Sequence, residues 1–144
     1  MDKILLVSVI LILGLVESSI CDEQVNYKAA NREFDKYIDE LGLPSYFGRI
    51  RGIDEDLKKY DVTGDGCEDL VRCLSYGSGM PRVSISIYDP VGHKGYILDS
   101  YNFSYRIESC DEDELVVIKY EPRENIEITG TVIIENDELV FVEN

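Results

Sequence analysis

The first regular pattern in the chain lies at residues 26–41, where apolar side chains recur every three or four positions. This spacing places them on one face of a helix and leaves most of the charged residues on the other faces. Gly42 and Pro44 follow and are predicted to end the helix. The apolar face, which we expect to pack on a sheet, consists of Tyr27, Ala30, Phe34, Tyr37, Ile38 and Leu41.

After the glycine-containing acidic segment at residues 61–69 the period of the pattern changes to two, which is typical of strands. Residues 82–88 alternate strictly and predict a strand that buries Val83, Ile85 and Ile87. Asn136 and Asp137 can adopt the left-handed angles of a hairpin turn. Further strands are predicted at residues 95–100, 102–107, 115–120, 126–134 and 139–142.

Together these patterns predict an α+β fold that is mainly β. One N-terminal amphipathic helix should be followed by an antiparallel meander of six or seven short strands, arranged as a curled sheet or a small open barrel. We place the helix and a connecting segment at residues 21–56 and the β-region at residues 57–144. A length of about 120 residues after removal of a leader suits one domain with a modest core, so both segments are assigned to one domain.

The N-terminus has the pattern of a secretory signal peptide. Lys3 precedes an apolar run at residues 4–16, and Glu17 ends this run before it reaches the length of a membrane span. We therefore expect residues 1–20 to be removed and the protein to be secreted, without insertion in a membrane after that step. The alternatives are an anchor formed by the uncleaved segment and a lipoprotein with a lipid on Cys21.

The charge of the chain excludes one class of partner. With 29 acidic and 14 basic residues the formal net charge is −15. Proteins that bind nucleic acid neutralise phosphates with clusters of lysine and arginine, and no such cluster occurs in this sequence.

Four cysteines in a secreted chain predict disulfides. If cleavage precedes Cys21, then Cys21, Cys67, Cys73 and Cys110 permit three pairings. An extended strand would hold Cys67 and Cys73 too far apart to bond, so Cys110 is the favoured partner of either.

Residues 61–69 carry the strongest chemical signal. Oxygen-bearing side chains occupy the first, third, fifth and ninth positions of this segment, and Gly64 and Gly66 allow a sharp turn. Calcium is a hard cation that takes six to eight oxygen ligands. The sequence thus predicts a Ca²⁺ loop, and the alternative is a solvated acidic turn. The candidate ligands are the side chains of Asp61, Thr63, Asp65 and Asp69 and the backbone carbonyl of Cys67.

The twelfth position of this segment distinguishes between kinds of calcium loop. An EF-hand places a glutamate there and a helix on either side, whereas this chain has Arg72 within a strand-like run. Residues 57–76 instead resemble the cation loop of FG-GAP and VCBS-type β repeats. The resemblance implies the same five ligands. Thr63 replaces the usual Asp or Asn, and the single copy of the repeat excludes a propeller.

A broader resemblance adds no role. Four short segments are similar to small secreted or membrane-anchored proteins of Gram-positive bacteria, which have no settled biochemical function. These segments are residues 76–80, 88–90, 95–99 and 101–102.

We interpret the chain as a secreted, calcium-stabilised β-domain that acts as a non-catalytic binding or accessory module. Its partner would be an extracellular protein or a surface ligand. One alternative is a secreted hydrolase with a metal-assisted carboxylate site in a cleft lined by Tyr96, Tyr101 and Tyr105. Another is an acidic inhibitor or immunity-type protein that meets a basic target. His93, the only histidine, is interpreted as a solvated turn residue.

Overall fold

The computed structural model describes residues 21, 25–41, 57–76, 82–98 and 103–144 of the chain. The predicted signal peptide and the connecting residues 42–56 lie outside the described residues.

Helix α1 (Tyr27–Glu40) confirms the predicted amphipathic helix. Asn26 caps its N-terminus, since the side-chain oxygen of Asn26 accepts a hydrogen bond from the backbone N–H of Ala29 at 3.1 Å. The side chains that α1 buries are Ala30, Phe34 and Ile38. None of the helices in the described part of the chain is long and apolar enough to span a membrane.

The described strands form two antiparallel sheets of four strands each, and within each sheet every strand pairs with its neighbours in sequence. The first sheet contains β1 (Lys58–Tyr60), β2 (Asp69–Tyr76), β3 (Arg82–Asp89) and β4 (Lys94–Leu98). The second sheet contains β5 (Ser104–Cys110), β6 (Leu115–Glu121), β7 (Ile126–Glu135) and β8 (Glu138–Glu143).

The prediction of one meander with six or seven strands, curled or closed into an open barrel, is therefore wrong, although the mainly β class is correct. The chain leaves the first sheet after Leu98 and begins the second sheet at Ser104. Alternation with a period of two identifies strands, but it carries no information on where a sheet ends.

The two sheets pack face to face and enclose the main core. We call the face of the first sheet that meets the second sheet its inner face, and the opposite face, which α1 covers, its outer face. The buried residues between the sheets are Val71, Ile85, Ile87, Leu98, Tyr105, Leu115, Val117, Val132 and Leu139. Under the helix, the buried sheet residues are Leu70, Leu74 and Tyr88.

Strand β3 is buried on both faces, because the helix covers the face that carries its polar residues. Ile85 and Ile87 are fully buried on the inner face as predicted, whereas Val83 is only half-buried. Ser84 and Ser86 are also fully buried. Because successive side chains of a strand point to opposite faces, these serines lie on the outer face, which α1 shields from water.

One disulfide joins Cys21 to Cys67, with 5.7 Å between the two Cα atoms. This bond belongs to one of the three pairings that the sequence permits, but the predicted preference for Cys110 as the partner of Cys67 is wrong. Cys73 and Cys110 are present as thiols. The predicted β7–β8 turn is confirmed, because Asn136 and Asp137 have φ angles of 50° and 68°.

Candidate cation loop

The segment between β1 and β2 curls tightly through its two glycines. Gly64 has a φ of 75° and Gly66 a φ of 88°, both in the left-handed region. An L-residue is strained at such angles, whereas glycine is not. The sharp turn predicted at Gly66 is therefore present, and Gly64 provides a second one.

The Asp61 carboxylate organises this turn from inside. Its Oδ1 accepts hydrogen bonds from the backbone N–H groups of Gly64 at 2.7 Å and Asp65 at 3.2 Å. Its Oδ2 accepts a bond from the N–H of Gly66 at 2.9 Å. Aspartate readily accepts hydrogen bonds from the backbone a few residues further on, which accounts for its place at the start of the loop.

Asp69 joins the end of the loop to its beginning through hydrogen bonds. It is the first residue of β2 and has an exposure of 0 %. Its Oδ2 accepts hydrogen bonds from the N–H groups of Val62 and Thr63, each at 2.8 Å. The Thr63 hydroxyl lies 3.4 Å from Oδ1 of Asp69 and 3.4 Å from Oδ1 of Asp61. The structure thus brings three of the predicted ligands together around the oxygen of Thr63.

The other two predicted ligands have different surroundings. The Asp65 carboxylate is exposed, and its Oδ1 accepts a hydrogen bond from the N–H of Cys67 at 2.8 Å. Cys67 is buried, and its sulfur is bonded to Cys21. The disulfide therefore holds the C-terminal half of the loop against the segment that precedes α1.

The electrostatic position of Asp69 is unfavourable for a charged carboxylate. The pKa of Asp69 is raised to about 7: burial raises it most, the hydrogen bonds from Thr63 and Val62 lower it, and the charges of Asp89 and Asp65 also raise it. No lysine, arginine or histidine of the described residues forms an ion pair with Asp69.

Sequence reasoning missed the contribution of Asp89. Leu70 pairs with Tyr88 in the β2–β3 ladder, so the next residues, Asp69 and Asp89, face each other across the ladder. Asp89 is also buried, and its Oδ1 accepts hydrogen bonds from the N–H groups of Val91 and Gly92 at 2.8 and 2.9 Å. Only the strand register reveals this proximity, and the sequence does not contain the register.

The donor set of the loop fits a hard cation in its chemistry. All five predicted ligands offer oxygen, and a carboxylate can accept about four hydrogen bonds or ligand contacts, so the observed N–H donors leave lone pairs on Asp61 and Asp69. The described part of the chain contains no group of three or more His, Cys, Asp or Glu side chains arranged to hold a metal. In the structure, hydrogen bonds from backbone N–H groups to the carboxylates of Asp61 and Asp69 hold the loop in its curled shape.

The structure describes Tyr96 and Tyr105, two of the three tyrosines named for a hydrolase cleft. Tyr105 is buried in the core between the sheets, and Tyr101 lies outside the described residues. His93 is in the β3–β4 turn with a φ of 53°, and its exposed ring places Nδ1 at 3.0 Å from Oε2 of Glu33 on α1.

Comparisons of the chain with protein-family models, curated proteins and solved structures find no match. The resemblance of residues 57–76 to FG-GAP and VCBS-type loops therefore stays a prediction from the sequence.

Proposed function

We propose that this chain is a calcium-stabilised β-domain that acts outside the cytoplasm as a non-catalytic binding or accessory module. The observation that carries this proposal is the buried Asp69 carboxylate, which faces Asp89 and lies under a loop rich in oxygen donors. A buried charge without an opposite charge is costly, and a divalent cation in the loop would remove that cost.

The disulfide supports a location outside the cytoplasm. Disulfides persist in oxidising compartments and are rare in cytosolic proteins of mesophiles. A sulfur atom in the Cys21–Cys67 bond also has no valence left for a thioether lipid, which argues against the alternative of a lipidated Cys21.

Within this proposal the role of the ion is structural. A site of the extracellular kind, with a dissociation constant of roughly 0.1–1 mM, would be well occupied at millimolar calcium. At a hundredfold excess of calcium over that constant, binding would add about 2.7 kcal/mol to the free energy of unfolding. The ion would join the start of β2 to the loop and so fix the end of the first sheet that adjoins α1.

The test is thermal melting of the oxidised domain, residues 21–144, in EDTA and in graded Ca²⁺ or Mg²⁺. We expect a calcium-selective rise in melting temperature that saturates near millimolar concentrations. Asp69→Asn keeps the shape of the side chain but removes its charge. This variant should melt at a higher temperature than the wild type in EDTA and should lose the response to calcium.

Asp111→Asn is the matched control. Asp111 also begins a turn, and its Oδ1 accepts hydrogen bonds from the N–H groups of Asp113 and Glu114 at 3.0 and 2.9 Å, but it is exposed. Asp111→Asn should leave the calcium response unchanged. If the wild type and Asp69→Asn respond equally to calcium, or neither responds, the proposed cation role of the loop is wrong.

A further inference from the structure

The mainly apolar contact between α1 and the first sheet contains one fully buried cationic side chain. Arg72 of β2 has an exposure of 1 % and lies directly under the helix. Its Nη1 donates a hydrogen bond to Oδ1 of Asp35 at 2.5 Å, and its Nη2 donates to Oδ1 of Asn31. The guanidinium carbon is 4.6 Å from the centre of the Phe34 ring. A guanidinium that binds a carboxylate in this way gives both energy and orientation.

The hydrogen bonds of this arginine are incomplete. Its Nε has no hydrogen-bond partner, the one such buried side-chain nitrogen or oxygen among the described residues. Ser86, which is fully buried, pairs with Arg72 in the β2–β3 ladder. A buried donor without an acceptor reduces the stability of the closed contact. The polar contact that orients the helix therefore leaves one buried donor without an acceptor.

A second carboxylate of α1 makes a similar contact. Oε2 of Glu33 accepts a hydrogen bond from the hydroxyl of Tyr88 and lies 3.0 Å from Nδ1 of His93. Two acidic residues on one helix are therefore bound by polar side chains of the first sheet. The outer face of this sheet is chemically a receptor for a helix that carries carboxylates.

A covalent bond holds the N-terminal end of α1 in place. The carbonyl of Cys21 accepts a hydrogen bond from the N–H of Val25 at 3.0 Å, and the sulfur of Cys21 is bonded to Cys67 in the loop. The Tyr27 hydroxyl also donates to the backbone carbonyl of Glu68 at 3.0 Å. An isolated helix of this length is marginal in water, so α1 depends on these attachments and on the sheet.

We propose that α1 is a releasable latch, held closed by the Cys21–Cys67 disulfide, over a face of the first sheet that binds carboxylate-bearing helices. A dithiol opens the latch. It transfers two electrons to the disulfide, Cys21 and Cys67 each take up one proton, and the dithiol becomes a cyclic disulfide. Release of α1 exposes Arg72 to another acidic helix. The latch does not depend on the proposed cation role of the loop, and its tests are made in EDTA.

The first experiment is amide hydrogen exchange on the domain, oxidised and then reduced with dithiothreitol. Reduction removes the restraint on the N-terminal end of α1, so the amides of Phe34 and Ile38 should exchange at least about tenfold faster. The amides of Ile85 and Ile87 in β3 should keep their protection. If exchange in α1 is unchanged, or rises only together with exchange in β3, the latch is wrong.

A substitution tests the same contact without a reductant. In the oxidised chain, Asp35→Asn weakens the ion pair with Arg72 and should speed exchange in α1 by about tenfold or more, again without loss of protection in β3. Lys36→Ala is the matched control, because Lys36 forms an exposed ion pair with Glu40 at 3.8 Å on the same helix. Equal exchange in the two variants contradicts the role of Asp35.

The second experiment measures acceptance of a helix in trans. A fluorescent peptide of residues 26–41 should bind to the Cys21→Ser chain and not to the oxidised wild type. A peptide with Asp35→Asn should bind at least about tenfold more weakly, since a hydrogen bond between charged groups contributes more than a neutral one. A peptide with Lys36→Ala should bind like the wild-type peptide. Absence of binding to Cys21→Ser, or equal binding of the Asp35→Asn peptide, contradicts the receptor face.

Discussion

Two ionisable residues of β2, Arg72 and Asp69, are buried on opposite faces of the first sheet and differ in the groups that surround their charges. Arg72 lies on the outer face, where Asp35 of α1 supplies an opposite charge and Asn31 a further acceptor. Asp69 lies on the inner side, where its hydrogen-bond donors are two backbone N–H groups and the Thr63 hydroxyl. The described charges that raise its pKa are those of two other carboxylates, Asp89 and Asp65.

The described part of the chain thus supplies an opposite charge for Arg72 but none for Asp69. A buried ion pair makes the helix specific for its place but adds little net stability. A buried carboxylate with neutral donors instead holds a proton, as the raised pKa of Asp69 indicates, or takes up a cation. This difference is the reason why we propose a partner with carboxylates for the outer face and a metal ion for the loop.

The largest expected effect is at Arg72. Arg72→Ala removes the hydrogen bonds to Asp35 and Asn31 and creates a cavity under the helix, and should lower the free energy of unfolding by about 2–5 kcal/mol in urea titrations. Arg72→Met, which is apolar and of similar length, should be close to neutral because it fills this space, and the half-exposed Asp35 carboxylate can be solvated by water. Equal destabilisation by both variants would contradict this account of the outer face.

The next effect concerns Asp69 and pH. The pKa of Asp69 in the folded state, about 7, lies above the usual value of 3.8. The protonated side chain therefore contributes fully to the free energy of unfolding below pH ~4, and this contribution is lost as the pH rises through 7. In EDTA we expect stability to fall by about 2–3 kcal/mol between pH 5 and pH 8 on account of this group. Urea titrations at the two pH values, with Asp69→Asn as the control that lacks this dependence, measure the effect. A wild type that matches Asp69→Asn at both pH values would contradict it.

The smallest effect concerns the fit of α1 on β4. Gly95 lies under the Tyr37 ring, and a methyl group at this position would overlap the ring. Gly95→Ala should therefore displace the helix and cost about 1–2 kcal/mol, with faster hydrogen exchange in α1 than in the sheets. Val91→Ala, at an exposed residue of the adjacent turn, should change stability by less than about 0.5 kcal/mol.

The helix and the hairpin turn were predictable because their signals are local. The cap of α1 is at Asn26, and its periodicity is visible in the spacing of Ala30 and Phe34. The turn angles are those that Asn136 and Asp137 adopt readily. The division into two sheets was not predictable, since it depends on which strands become neighbours. The number of strands in a sheet is a property of pairing rather than of any single strand.

In the loop too, local contacts were predictable from the sequence and contacts with distant segments were not. The side-chain oxygens of Asp61, Thr63 and Asp69 lie close together, as expected where alternate residues of a curled loop point inward, while their role as metal ligands stays a prediction. The charge of Asp89 comes from a different strand, and the partner of Cys67 comes from the segment before the helix. Contacts between distant segments require the register and the packing, which a single sequence does not reveal.

The pairing of each strand only with its sequence neighbours has a consequence for how the chain folds. Short connections make the entropy of loop closure small, and topologies rich in local contacts fold faster than those built from distant pairings. Each sheet can therefore assemble as a series of hairpins on its own stretch of chain. Docking of the sheets and closure of the Cys21–Cys67 bond are then the long-range steps, and we expect them to limit the folding rate.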